Sequence, residues 1–355
     1  MYECDDNSST PPAAAHRPVP RLPPVPPFNS LEEWKGQLFW KAMDPIGYQY
    51  LCRILGGGKP EDVQLIFSEL KDQICALMFD RLGGNVVISL CHACNEQQMN
   101  HLVSSVTADV DLFLVVCLNS DGSRCIKDFL RCLRTPKQIS DVVSVLRRLT
   151  PRLVNHDIGS RVISRCLDIF PLPAEETKPI LDVISDIFFE MATNRTGCSL
   201  LRELLLGSDA FVLENQTGIL SKIKEDLRKL SHHPCGRTLV WLLIKLRIQD
   251  VEKDLVAQLR GGFALMSMDR YASQVVLILM EEYKEKVAPQ IYDEIIHSRD
   301  CSRVLLHPDG KSVLKYAKKH SMKSACQTLN QQIPLRANHH GKNVHPKNKT
   351  QRICV

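Results

Sequence analysis

Asn119-Ser120-Asp121-Gly122-Ser123-Arg124-Cys125-Ile126-Lys127 is the stretch on which the reading of this chain turns, because its shape returns eight times. A polar residue stands three positions before a Gly or Ala. The small residue is followed by two variable positions, two apolar positions and one more variable position. That order describes a turn that opens a helix. The small anchors are Gly47, Gly83, Gly122, Gly159, Gly197, Gly236, Ala272 and Gly310, spaced 36 to 39 residues apart. A near-constant period of this size is the mark of a repeat architecture in which each unit is one supersecondary element.

Around each anchor the apolar residues recur at helical spacing. In unit three, Ile126, Phe129, Leu130 and Leu133 follow the turn, and Ile139, Val142, Val143, Leu146 and Leu149 follow Thr135-Pro136. Proline at the start of a helix loses no hydrogen bond, so Pro136 ends one helix and opens the next. Gly56-Gly57-Gly58-Lys59-Pro60, Pro171-Leu172-Pro173 and Gly261-Gly262 punctuate other units in the same way. No strand pattern persists, and no unit is large enough to hide its apolar face alone. Stacked units share one continuous core, which predicts an all-α α-solenoid of eight helical repeats over residues 29–333 with a curved, repeated surface.

The composition agrees with a helical array. Of 355 residues, 44% are hydrophobic and 24% charged, and no apolar run reaches the roughly 18 residues of a membrane span. The formal net charge of +5 permits a nucleic-acid partner without demanding one. Residues 1–28 hold eight of the twenty prolines and few apolar groups, so a disordered or polyproline-like linker is expected there. Residues 334–355 carry Arg336, Lys342, Lys347, Lys349 and Arg352 with no acidic residue, which reads as a basic, disordered tail. The acidic start Met1-Tyr2-Glu3-Cys4-Asp5-Asp6 does not resemble a secretory signal, so a cytoplasmic chain is expected, with the basic tail leaving a nuclear or nucleolar site open. The fourteen cysteines then read as small buried apolar residues.

The helix after each anchor also presents a repeated surface. Its first variable residue and the residue four later, here termed the two edge positions, stack on one helix face, and the second variable residue, the stack position, lies beside them. Registering the units by the apolar pair gives Tyr48, Gln49, Cys52; Gly84, Asn85, Ile88; Ser123, Arg124, Lys127; and Ser160, Arg161, Ser164. The remaining triplets are Cys198, Ser199, Arg202; Arg237, Thr238, Trp241; Ser273, Gln274, Leu277; and Lys311, Ser312, Lys315. Polar residues dominate, and all three positions are expected to project together from one surface.

Eight units with cores of this kind resemble the Pumilio (PUF) RNA-binding repeats. Leu77-Met78-Phe79-Asp80, Val86-Val87-Ile88-Ser89-Leu90, Cys94-Asn95-Glu96-Gln97-Gln98 and Tyr271-Ala272-Ser273-Gln274-Val275-Val276 carry the resemblance, which runs from about Leu31 to about Leu329. It implies a right-handed, crescent-shaped monomer whose concave face binds single-stranded RNA, each repeat reading about one base with two or three side chains. It further implies regulation of translation and mRNA stability from 3′ untranslated regions, through recruited repressor or deadenylation factors. Arg124 and Arg161 would offer flat guanidinium groups to neighbouring bases. Family readers usually hold Gln or Glu at the second edge position. This chain holds Cys52, Ile88, Lys127, Ser164, Arg202, Trp241, Leu277 and Lys315 there, so a degenerate code is expected. Lys127, Arg202, Arg237, Lys311 and Lys315 would hold phosphates and make binding salt-dependent.

The alternative is a helical-repeat scaffold that has lost RNA specificity and binds proteins, since worn edge triplets are what such a change of use leaves behind. Cys91-His92-Ala93-Cys94 invites a zinc reading, but it falls on a helix with no second Cys-x-x-Cys nearby, and buried thiols are favoured. His233 of His232-His233-Pro234-Cys235 occupies the polar slot before Gly236 and is expected to cap that turn. No phosphate loop, nucleophile elbow or metal-binding His pair occurs, so neither an enzyme nor a cofactor is expected.

Overall fold

A computed structural model describes residues 31–170, 178–206, 212–246 and 251–321. The Pro-rich segment, the basic tail and the Pro171-Leu172-Pro173 connector lie outside them. The described residues form helices and turns with no strand among them. The helices that start at the anchors stack in chain order: Gly47–Gly57 on Arg81–Ala93, then Ser120–Cys132, Ser160–Ile169, Arg195–Leu206, Gly236–Lys245 and Ala272–Glu282. A last helical run, 308–321, contains Gly310. Behind this row lies a second, in which Glu96–Ala108, Pro136–Leu153, Lys178–Asp186 and Val212–Glu225 pack in succession. Short helices such as Ile74–Met78, Val110–Leu118 and Leu227–Ser231 join the two rows. This is the α-solenoid that the period predicts.

The apolar pairs turn into the core as registered. Leu51, Val86, Val87, Cys125, Ile126, Val162, Ile163, Leu201, Leu239, Val240, Val276 and Val313 are fully buried, and Leu200 and Val275 nearly so. Only Tyr50 and Leu314 are half-buried, and Tyr50 packs edge-on against Trp34 with the ring centroids 4.9 Å apart. Seven of the eleven described cysteines are buried and four are half-buried. Burial pushes the Cys166 and Cys125 thiols up to about 12 and the Cys94 thiol up to about 11. These thiols therefore stay protonated and behave as core atoms. Thr135 and Asn95 open the second-row helices with capping boxes closed by Gln138 and Gln98. The same glutamines then reach the preceding unit, Gln98 donating to Gln64 Oε1 at 2.9 Å and Gln138 to Asn100 Oδ1 at 2.7 Å.

The turn explains the polar and small residues of the period. Asp80 accepts from the backbone N–H groups of Leu82 and Gly83 at 2.9 and 2.8 Å, which satisfies two of the donors a helix start leaves unpaired. Asp44, Asn194 and Asp269 make the same two bonds, and Asn119 makes the second of them. His156 and His233 do so through Nδ1, which accepts only as the neutral ring nitrogen, so the capping role expected of His233 is realised. The anchor glycine meets a different constraint, the backbone of the short helix. A Cβ at Gly47, Gly83, Gly122, Gly197 or Gly310 would stand 2.2 to 2.8 Å from the carbonyl oxygen of the residue six before it, and at Gly159 or Gly236 it would stand 3.0 Å away. No side chain fits that gap without moving one helix.

Two outcomes follow for stability. Gly122→Ala places a Cβ 2.4 Å from the Val116 carbonyl oxygen and is expected to cost about 1–3 kcal/mol, read as a lower midpoint of thermal unfolding. Gly56→Ala, in open space within a helix, should instead leave the midpoint unchanged or raise it, by up to ~1 kcal/mol. The second outcome concerns Asp269, whose partial burial favours the neutral acid but is outweighed by bonds from Ala272 N–H, His232 and Tyr271 N–H. Its carboxyl is held below the usual range, so the stability it contributes is present above pH ~4 and lost as pH falls through the depressed value. Asp269→Asn keeps an oxygen for the cap but not the charge, and the gap in unfolding midpoint between it and wild type should shrink as pH falls from about 6 through that window. A constant gap would show that the charge does nothing there.

Candidate functional site

The anchor helices carry the three variable positions along one face, but the three do not project equally. At the first edge, Ser123, Ser160, Cys198 and Ser273 are buried, with at most 8% of their surface exposed, and Gly84 is buried as well. The expectation that all three side chains of a unit project together therefore fails at this position. The cause is the neighbouring helix: a Cβ on Gly84 would already touch Cys125 of the next unit at 3.5 Å, and Cys198 Sγ lies 3.4 Å from the Cys235 carbonyl and 3.3 Å from Thr238 Oγ1. The hydroxyls turn inward, Ser123 donating to the Ser120 carbonyl at 3.0 Å and Ser160 to that of Asp157 at 3.4 Å. Tyr48 and Arg237 are half-buried at the same position, and Lys311 is exposed.

Stack residues reach back toward the preceding unit. Arg124 donates from Nη1 to Asn85 Oδ1 at 3.1 Å and from Nη2 to the Arg81 carbonyl at 3.0 Å, so its guanidinium lies across unit two. Gln274 receives a hydrogen bond from Arg237, whose guanidinium also sits 5.6 Å from the Tyr271 ring centroid. Arg161, Ser199 and Ser312 are exposed, whereas Gln49 and Thr238 are half-buried. At the second edge, Cys52, Ile88, Lys127 and Leu277 are half-buried, Arg202 and Lys315 are exposed, and Trp241 is 46% exposed. Ser164 is buried there, and its hydroxyl donates to Glu203 Oε1 at 2.9 Å.

Two grooves open on this face. The first, about 330 Å³, gathers Arg124, Lys127, Arg131, Arg161 and Arg165 with Asp128, Asp168, Ser164 and Glu203 from units three to five. Arg131 pairs with Asp128 at 3.2 Å and Arg165 with Asp168 at 3.8 Å; burial raises the Asp168 carboxyl above its ordinary range. The cations still outnumber the carboxylates. The second groove, about 410 Å³, lies between units six and seven and is walled by Trp241, Val275, Leu277 and Ile278 with Arg237, Thr238, Gln274 and Glu281. Lys245, paired with Glu282, covers the Trp241 ring at 5.9 Å from its centroid.

Arg165 and Glu203 were not among the residues that the triplets single out. Both follow a second edge residue directly and stand four residues after a stack residue, Arg161 and Ser199 respectively. The helical period thus puts them on the same exposed face, and that spacing was the available signal. Ser89 holds the equivalent place in unit two and lies beside the Cys52 thiol of unit one, its hydroxyl donating to the Asn85 carbonyl at 3.0 Å, as Glu203 of unit five lies beside Ser164 of unit four. The position after the second edge residue therefore faces the second edge residue of the unit before it.

No family model matches the chain. Among curated proteins, Pumilio homolog 12 of Arabidopsis thaliana is 28% identical over 322 residues, covering 89% of this chain and 53% of that protein. Pumilio homolog 14 of the same plant is 32% identical over 147 residues, covering 41% of this chain and 28% of that protein. The chain spans about half the length of the first curated relatives it matches. Among solved structures, the Puf4 RNA-binding domain bound to an HO endonuclease 3′ UTR recognition sequence superposes with a TM-score of 0.65 at 25% identity, over 81% of this chain and 88% of that one. The RNA-binding domain of yeast Puf5p bound to SMX2 RNA shares the fold with a TM-score of 0.64 at 17% identity, over 85% of this chain and 92% of that one. The helical ladder and these relatives make the chain similar to the Pumilio (PUF) repeat proteins, from which its sequence has diverged.

Proposed function

We propose that the chain binds single-stranded RNA along the row of anchor helices, with affinity concentrated in the groove of units three to five and with a degenerate base code. The observation that carries this reading is the clustering of five cations, Arg124, Lys127, Arg131, Arg161 and Arg165, in one open groove of a solenoid whose relatives include RNA-bound domains. Cations so arranged release counterions when they meet phosphates, and planar guanidinium groups stack on bases. Arg161 is exposed and available for stacking. Arg124 is oriented by Asn85 and Arg81, which fixes the plane of its guanidinium before any ligand arrives. Half-buried Ile88 and Leu277 offer no hydrogen bond to a base, so units two and seven contribute shape rather than choice. Control of translation and mRNA stability in the cytoplasm, through recruited factors, is the cellular role that this binding would serve.

The protein-scaffold alternative requires a surface that excludes a polyanion, and the central groove is cationic instead. A salt titration with labelled single-stranded RNA tests the reading. Arg124→Ala/Arg161→Ala should weaken binding by roughly tenfold or more through lost stacking, at about 1–3 kcal/mol per base. Lys127→Ala should flatten the slope of log affinity against log salt by about 0.7. Unchanged affinity in the double variant would remove the central groove from the interface.

A further inference from the structure

The second edge position of unit four carries a serine where a base reader with a longer polar group is expected, yet that position is not without a carboxylate. Glu203 comes from unit five and accepts the Ser164 hydroxyl at 2.9 Å. Four arginines line the same groove, and among the described residues Glu203 forms no ion pair with any of them. A surface glutamate that served only to balance charge would sit on a guanidinium. This one is bound instead by a neutral hydroxyl that is 7% exposed, and only one of its two oxygens is used. Ser199, one turn before Glu203, is too short to cover it.

We infer that unit four reads its base with an edge shared between two units, Ser164 holding the Glu203 carboxylate at the base edge beside Arg161, and that this site selects guanine. The inference rests on the RNA-binding reading above and goes beyond it by assigning one position of the code. An ionised carboxylate only accepts hydrogen bonds. Guanine alone places two donors side by side on its Watson–Crick edge, the N1–H and the N2 amino group. Adenine and cytosine set an acceptor nitrogen beside their amino group, and uracil flanks its single N–H with two carbonyl oxygens. Each of those three therefore turns at least one lone pair toward the carboxylate, which is repulsive in a partly desolvated groove. Arg161 is three residues before Ser164 on the same helix, which puts its guanidinium beside the slot where the base would lie. Glu203 is then a specificity-determining residue, and Ser164 a positioning residue that acts through it.

The repeated juxtaposition supports the assignment. Arg165 shares a groove with Lys127, and Ile278 with Trp241, in the same register as Glu203 with Ser164, so the approach of this position to the preceding unit belongs to the solenoid and is not an accident of one rotamer. Among the described residues, only at the unit four to unit five junction is the approaching group a carboxylate held by an edge hydroxyl.

The test is selection from random single-stranded RNA by the full chain, by Glu203→Ala, Glu203→Gln and Ser164→Ala, followed by competition between the winning RNA and versions with one base replaced. Wild type is expected to enrich guanine at one position, where guanine to adenine costs roughly tenfold or more. Glu203→Ala should abolish that preference at that position alone while affinity for the adenine version holds or rises, because a negative charge has left the groove. Glu203→Gln, whose amide sets a donor beside its acceptor, should bind as well and prefer a base other than guanine. Ser164→Ala should give an intermediate preference. Circular dichroism of each variant checks the fold, which an exposed residue at 203 should not disturb. Equal guanine enrichment by wild type and Glu203→Ala, or a wild type that binds RNA with no guanine-preferring position, overturns this inference and leaves the RNA-binding reading standing. A wild type that binds no single-stranded RNA overturns both.

Discussion

The rest of the structure depends on the contact between each anchor and the carbonyl oxygen six residues before it. At Gly122 the two backbones meet so closely that a single added carbon would lie 2.4 Å from the Val116 oxygen. A contact that tight leaves the short helix and the anchor helix little freedom to change their crossing, because interiors packed to this density deform only at high cost. The polar cap then fixes where the anchor helix begins, to the residue. With start and direction both set, the apolar pair has one way to face, and the next unit docks against it in the same manner. Ala272 shows that the rule bends where the backbones leave room for one carbon. Its unit keeps the full cap from Asp269 and the buried pair Val275 and Val276.

This is why so much of the fold was legible from residue types and spacing. The anchor, its cap and the apolar pair are local in sequence, and each is chosen by the backbone it serves: Gly for space, Asp, Asn or neutral His for acceptors, Val, Ile or Leu for burial. Pro136 and Thr135 mark a second-row helix start for the same reason. The variable surface was only half legible. Helical period puts Ser123, Arg124 and Lys127 on one face, but it does not say how near the next helix stands. The burial of Ser123 and Ser160 comes from that neighbour, and so does the meeting of Ser164 with Glu203 across 39 residues of chain. Contacts of this kind depend on the angle between successive units, which no single unit encodes.

The face also changes character along its length. In units three to five the groove is polar and rich in arginine, and two of its three carboxylates are paired within one turn of their own helix, Asp128 with Arg131 and Asp168 with Arg165. Between units six and seven the walls are Trp241, Leu277 and Ile278, and the cations there are engaged elsewhere, Arg237 with Gln274 and Tyr271 and Lys245 with Glu282. Mobile counterions collect where fixed charge is uncompensated. On the proposed reading an anionic strand would be drawn to the middle of the array first, and the apolar end would add contact area through ring faces and methyl groups that every base can use.

Reading a base with groups from two units changes what a degenerate triplet means. If every contact came from one helix, the loss of a Gln or Glu from the second edge would silence that unit. Here the approaching residue of the following unit shares the position, and the chemistry of each junction is the product of two side chains. Cys52 meets Ser89, Lys127 shares its groove with Arg165, Ser164 holds Glu203, and Trp241 shares its groove with Ile278. A thiol with a hydroxyl discriminates weakly, two cations favour a phosphate over a base edge, and an indole with an aliphatic chain accepts any flat ring. Only the acceptor pair has a sign that one base matches and the others oppose. Selectivity in such an array concentrates where neighbouring units cooperate, and affinity spreads over the rest.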